Sequence, residues 1–167
     1  MKIKTVLSKG LFASGAIMLL FSLSSCKKEV FTSGVKNEFS LQSAANGASY
    51  NIKVGLPANY NSSDKYATIY VLGKKYSDGQ LDNLAVKNVL VVSIGYGKDR
   101  SIDYTPTKVS SVTGGAPQFL NFIETQLIPK IEQDYSVDTT RGGRVILGHS
   151  YGGLFGGYAY SVNNKVF

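Results

Sequence analysis

Histidine, cysteine and tryptophan are almost absent from this sequence. Its 167 residues contain one histidine, His149, one cysteine, Cys26, and no tryptophan. A single cysteine excludes an intrachain disulfide. One histidine and one cysteine also leave no ligand set for a zinc ion. We therefore expect neither a metal nor any other cofactor.

Acidic residues are scarce as well. The chain has 18 basic and 11 acidic residues, for a formal net charge of +7. Three of the lysines, Lys2, Lys4 and Lys9, fall in the first 25 residues, which contain no acid. The other positive charges are scattered and form no basic strip interleaved with aromatic residues. This pattern argues against a nucleic-acid partner.

The N-terminus has an apolar segment, but a short one. After the three lysines, residues 11–23 are apolar except for two serines and a glycine. A spanning helix needs about 20 apolar residues, so this pattern indicates a signal peptide. The segment ends in Leu-Ser-Ser-Cys26, which resembles the lipobox of bacterial lipoproteins. An ordinary signal peptide with an incidental cysteine is the alternative.

The lipobox predicts three parts of the chain. Residues 1–25 would be a removed signal peptide, residues 26–37 a polar tether that begins at an acylated Cys26, and residues 38–167 the folded domain. The protein would then be lipid-anchored in a bacterial cell envelope, on the periplasmic or surface side. Lys27 and Lys28 would lie against anionic headgroups.

The hexapeptide Gly-His-Ser-Tyr-Gly-Gly at residues 148–153 carries the strongest chemical signal. An apolar run precedes it and a Gly-rich apolar stretch follows, so Gly-x-Ser-x-Gly stands between a strand and a helix. This is typical of a nucleophile elbow, in which small neighbours allow a sharp, strained turn around the serine. We predict that Ser150 is a nucleophile and that the Tyr151 N–H stabilises an oxyanion.

The general base that such a serine needs is missing from the expected place. Triads of this kind run Ser, then Asp or Glu, then His along the chain, whereas residues 151–167 contain none of these acids and no histidine. Adjacent residues at an elbow point in different directions, so His149 is not a candidate for the base. We interpret His149 as a packed or loop-bonded residue.

Apolar patterns predict alternating strands and helices. Residues 38–43 and 48–56 are expected to form a hairpin around Asn46-Gly47, with Tyr50, Ile52 and Val54 on one face. Unbroken apolar runs at residues 67–72, 88–94 and 144–147 suit parallel strands. Helices are expected at residues 81–87 and at 117–135, the latter kinked by Pro129. Residues 95–116 are expected to be a loop and residues 138–143 a turn. The pattern indicates an α/β fold.

Several segments together resemble the esterase D and siderophore-esterase-like branch of the α/β-hydrolase superfamily. They are Ser-Tyr-Asn-Ile-Lys-Val-Gly-Leu-Pro at residues 49–57, Arg-Ser-Ile-Asp-Tyr-Thr-Pro-Thr at 100–107, Leu-Ile-Pro at 127–129, and residues 148–155. The resemblance implies an α/β-hydrolase fold truncated after the elbow strand and helix. It also implies a second oxyanion donor near Gly73-Lys74, where the family's usual Asp-Gly pair is absent, and a triad acid and histidine beyond Phe167.

Residues 100–107 have two interpretations. They either contact the substrate or form a structural loop in which Arg100 pairs with Asp103 and Pro106 fixes a turn. The function also remains open between two classes. The resemblance favours a serine ester hydrolase, or an acyl transferase with the same nucleophile, acting on a small-molecule or glycan ester. The alternative is a non-catalytic lipoprotein that binds a ligand such as a siderophore or glycan.

Overall fold

A computed structural model describes residues 36–73, 88–97, 99–108, 110–111 and 113–167. The predicted helix at residues 81–87 and all of residues 1–35, including Cys26, lie outside the described residues. Within the described part, five strands form one mixed sheet in the order β1-β2-β4-β3-β5. They are β1 (Lys36–Gln42), β2 (Ser49–Gly55), β3 (Ala67–Leu72), β4 (Val89–Ile94) and β5 (Arg144–Leu147).

The direction of the strands follows their hydrophobic patterns. The alternating β1 and β2 form an antiparallel hairpin whose turn contains Gly47 at φ +68°. The continuous apolar strands β4, β3 and β5 run parallel to one another. These assignments confirm the predicted hairpin and the predicted parallel strands. The carboxyl ends of the parallel strands β3, β4 and β5 meet at one edge of the sheet, and ligand sites of such sheets form at this edge.

Helices cover one face of the sheet. They are α1 (Arg100–Tyr104), α2 (Ala116–Phe122), α3 (Ile128–Asp134) and α4 (Tyr151–Val162). A core packs between them and the sheet and contains Tyr50, Ile52, Phe119, Phe122 and Phe155, each fully buried. The described part of the chain contains no helix both long enough and apolar enough to cross a membrane.

The predicted helix at residues 117–135 is continuous but irregular. A π-helical turn, Ile123–Leu127, separates α2 from α3. Pro129 has no N–H to donate, and its ring would clash with the carbonyl four residues earlier in a regular α-helix. The wider π turn directly before Pro129 relieves both problems. The sequence predicts a kink at Pro129, and the structure shows a π turn that ends two residues before it.

The expected loop at residues 95–116 was wrong in part, since it contains α1. Asp99 caps this helix by accepting hydrogen bonds from the Ser101 N–H and hydroxyl, both at 2.8 Å. The Gly115 N–H donates to Ile102 O at 2.8 Å, and a Cβ on Gly115 would lie 2.6 Å from that oxygen. A segment this short and polar has little helical periodicity in its sequence, which is why the helix was not predicted. The cap at Asp99 and the bond from Gly115 stabilise α1.

Candidate active site

Ser150 lies at the turn between β5 and α4 in a strained conformation. Its φ is +58° and its ψ is −121°, a region that non-glycine residues rarely occupy. The Gly152 N–H donates to His149 O at 3.0 Å, and the Leu154 N–H donates to Ser150 O at 3.1 Å. These bonds fix the turn, and the Ser150 side chain is exposed above the sheet edge.

This turn requires a glycine at residue 148, whereas a Cβ on Gly152 would make an ordinary van der Waals contact. A Cβ on Gly148 would overlap the backbone C and O of Gly152. A Cβ on Gly152 would lie 3.4 Å from Leu72 Cβ, because α4 begins directly beside the end of β3. The strand and helix therefore approach each other as closely as backbone allows, which is what the glycines in the motif predict.

The Tyr151 N–H, which the sequence predicts to be an oxyanion donor, lies at the start of α4. In the described part of the chain, no backbone carbonyl accepts from the Tyr151 N–H, the first N–H of α4. That N–H and the helix N-terminus favour negative charge beside Ser150. The Gly73 N–H, by contrast, donates to Ile94 O at 3.0 Å and is not free for an oxyanion. Lys74, the other residue of the predicted second donor, lies outside the described residues.

His149, which we interpreted as a packed or loop-bonded residue, is not packed, and it is bonded within the turn through its backbone. Its side chain is exposed, and it forms no hydrogen bond with Ser150. Only its carbonyl takes part in the turn, by accepting from Gly152. The ring is therefore not in position to take the serine proton. The described residues also contain no group of three or more His, Cys, Asp or Glu that could hold a metal ion.

Helix α1 packs against α4 and brings Arg100 to the elbow. The Arg100 Cζ lies 5.4 Å from the centroid of the Tyr151 ring, within the range of a cation–π interaction. This guanidinium places a positive charge over the ring of Tyr151, the residue that follows the candidate nucleophile in the chain. Nothing in the local sequence predicts the contact, since residues 100 and 151 meet only through the tertiary fold.

The predicted pairing of Arg100 with Asp103 was wrong. Asp103 is 3% exposed and accepts two hydrogen bonds, from the Tyr50 hydroxyl at 2.9 Å and from the Gly97 N–H at 3.0 Å. Burial raises the pKa of the Asp103 carboxyl, and the two donors oppose that rise. Asp103 thus joins α1 to β2 and to the end of β4, while Arg100 points to Tyr151.

The model of the "Putative esterase" family matches residues 43–167. The chain belongs to this esterase family. The apo-salmochelin esterase of Escherichia coli O6:H1 is 29% identical over 130 residues, which cover 64% of this chain and 40% of the relative. The ferri-bacillibactin esterase BesA of Bacillus subtilis is 31% identical over 135 residues, covering 64% of this chain and 46% of the relative.

Solved structures show the same family resemblance in three dimensions. The BES protein from Bacillus cereus superposes with a TM-score of 0.66 at 26% identity, covering 80% of this chain and 60% of that structure. The sheet and helices described above are therefore part of an α/β-hydrolase fold, as predicted. The chain spans less than half the length of the two curated relatives.

Proposed function

We propose that the protein is a serine ester hydrolase with Ser150 as its nucleophile. The observation that carries this proposal is the strained Ser150 at the turn between β5 and α4, next to the unengaged Tyr151 N–H. The Ser150 hydroxyl would lose its proton to a base and attack the ester carbonyl. The Tyr151 N–H would donate to the resulting oxyanion. Loss of the alcohol would leave an acyl-enzyme, which water then hydrolyses.

We further propose that the triad histidine and acid lie outside these 167 residues. His149 is the one histidine present, and its exposed ring forms no bond with Ser150. The curated relatives are more than twice as long as the matched region. On this proposal, residues 1–167 alone retain a nucleophile and one oxyanion donor, and hydrolyse esters orders of magnitude more slowly than the complete protein.

A siderophore ester is the substrate class that the relatives suggest. Two relatives are named as esterases of apo-salmochelin and of ferri-bacillibactin. The positive charge of Arg100 beside Tyr151 would suit a substrate that carries negative charge near its ester. We propose that residues 100–107 contact the substrate through Arg100 as well as forming the structural loop that Asp103 anchors.

The non-catalytic alternative rests on a different observation. Among the described residues, no carboxylate or imidazole hydrogen-bonds the Ser150 hydroxyl. A lipoprotein that only binds its ligand on this scaffold would need no such carboxylate or imidazole beside Ser150. The two functions are distinguished by turnover, because a binding protein would retain the ester intact.

The test of the catalytic proposal uses the complete protein encoded by the gene and a chromogenic short-chain acyl ester. We expect Ser150→Ala to reduce kcat by at least about a thousandfold. His149→Ala is the matched control at the adjacent position, and we expect it to retain most of the wild-type rate because its ring is exposed. Equal turnover by wild type and Ser150→Ala would exclude Ser150 as the nucleophile.

We also propose that the mature protein is anchored in the bacterial cell envelope through a lipid on Cys26. This proposal is supported by the lysines at the N-terminus, the short apolar segment that follows them and the Leu-Ser-Ser-Cys sequence. Cells given labelled palmitate should incorporate the label into the wild-type protein and not into Cys26→Ala. Label in the alanine variant would rule out this anchor.

A further inference from the structure

Asp103 connects three parts of the molecule at a buried position. One carboxylate oxygen accepts from the Tyr50 hydroxyl of β2, and the other accepts from the Gly97 N–H just after β4. Tyr50 is itself held, since the Asn46 side-chain amide donates to its hydroxyl at 2.9 Å. Its ring packs against Phe119 and Phe122, with centroids 5.0 and 4.6 Å away. The partner of Asp103 is therefore fixed to the sheet and to α2.

Helix α1 needs such an anchor because it has only five residues. A helix this short does not form on its own in water, so tertiary contacts decide where it lies. Its N-terminus is capped locally by Asp99, and its C-terminal end is bound by Gly114 and Gly115. Asp103 supplies the buried, charge-assisted contacts of α1, which are stronger than bonds between neutral groups.

Arg100 is the first residue of the same short helix. Its guanidinium lies over Tyr151, whose ring is 42% exposed. A small rotation of α1 about its anchor would lift this guanidinium away from the elbow. The hydrogen bonds of Asp103 and the guanidinium over Tyr151 therefore belong to the same five-residue helix.

We propose that Asp103 is a positioning residue that holds Arg100 against the elbow and thereby favours the binding of anionic ester substrates. The proposal rests on the function proposed above for Ser150 and adds a role that acts on binding. Asp103 itself is buried, and its hydrogen-bond partners are Tyr50 and Gly97. Its effect on substrate passes through α1 and Arg100.

Two buried tyrosines offer a matched pair of variants. Tyr50→Phe removes a donor to Asp103. Tyr104→Phe, one residue after Asp103, removes a buried hydroxyl that has no hydrogen-bond partner among the described residues. In the complete protein, the Arg100 Nε–Hε resonance should show the ring-current shift of a guanidinium over Tyr151. We expect Tyr50→Phe to reduce that shift and Tyr104→Phe to leave it unchanged.

A kinetic measurement separates an effect on substrate binding from an effect on the chemical step. For two esters with the same acyl group, one with an anionic and one with a neutral alcohol, we expect Tyr50→Phe to raise KM for the anionic ester about fivefold or more. The KM of the neutral ester and both kcat values should stay near wild type. In a protein that already carries Arg100→Gln, Tyr50→Phe should not raise KM for the anionic ester any further, because the guanidinium through which Tyr50→Phe acts is absent.

Several results would overturn the proposal. They are an unchanged Arg100 resonance in Tyr50→Phe, equal KM increases for both esters, or an undiminished effect in the Arg100→Gln background. Should Tyr50→Phe not fold, Asp103→Asn preserves the shape of the side chain and must move the Arg100 resonance in the same direction. If the wild type hydrolyses neither ester, the catalytic proposal fails, and the resonance still decides whether Asp103 positions Arg100.

Discussion

At the scale of single residues, the conformation of Ser150 is the feature on which the candidate site depends. A non-glycine residue at φ +58° costs about 1–3 kcal/mol, so the surrounding structure must hold it there. The bonds from Gly152 and Leu154 close this turn, and the Gly152 backbone lies so near Gly148 that no Cβ fits there. The strain and the close contact are therefore parts of one arrangement.

This dependence can be tested with two glycines of the same region. Gly148→Ala would drive a Cβ into the Gly152 backbone, and we expect it to destabilise the fold by about 3 kcal/mol and to disturb Ser150. Gly157→Ala lies in α4 with no atom within 4 Å of the new Cβ, and should stabilise by about 0.5–1 kcal/mol. Denaturant unfolding measures both. A neutral Gly148→Ala would contradict the close-contact account.

The sequence predicts some residues of the site and not others. Ser150 and Tyr151 follow from a contiguous motif, because the elbow is built by neighbours in the chain. The bond between Tyr50 and Asp103 joins residues 53 positions apart, and no local pattern indicates it. Local spacing instead suggested the pair Arg100–Asp103, and the fold places these two side chains against different partners.

At the scale of elements, the strands were predicted more accurately than the irregular segments. The runs at residues 67–72 and 144–147 match β3 and β5, and β3 is largely buried, as a continuous apolar sequence predicts. Helix α1 was missed because its caps and anchors are polar. Pro129 predicted a kink in the long helix, and the structure has a π turn shortly before this proline.

The π turn also binds the end of the hairpin. The Gln126 side chain accepts from the Ala44 N–H at 2.8 Å and donates to Gln42 O at 3.0 Å. We expect Gln126→Ala to lower the free energy of unfolding by about 1 kcal/mol, because two backbone groups lose their partner. Gln133→Ala, exposed on α3, should change it by less than about 0.5 kcal/mol. Equal effects would show that Gln126 has no special role.

At the scale of the whole molecule, β5 is one of the two edge strands of the described sheet. β5 pairs with β3 on one side and with no other described strand, and Val145 and Leu147 are 49% and 39% exposed. An open edge with apolar side chains is a template for pairing with another chain. We expect residues 1–167 expressed alone to self-associate with rising concentration.

Light scattering across a concentration series measures this association. Val145→Lys combined with Leu147→Lys should suppress it, because charge on an edge strand opposes strand pairing. Val162→Lys, at an equally exposed apolar position of α4, is the control and should leave it unchanged. If the α4 variant suppresses association as strongly, the interface is on the helix and the edge of the sheet is not the cause.

The central claim is that Ser150 is the nucleophile of an esterase. The most direct measurement treats the complete protein with an organophosphonate ester and identifies the modified residue by peptide mass spectrometry. The account predicts a stoichiometric adduct on Ser150, with loss of ester hydrolysis in proportion to labelling. An adduct on another residue that abolishes hydrolysis, with Ser150 unmodified, would contradict it.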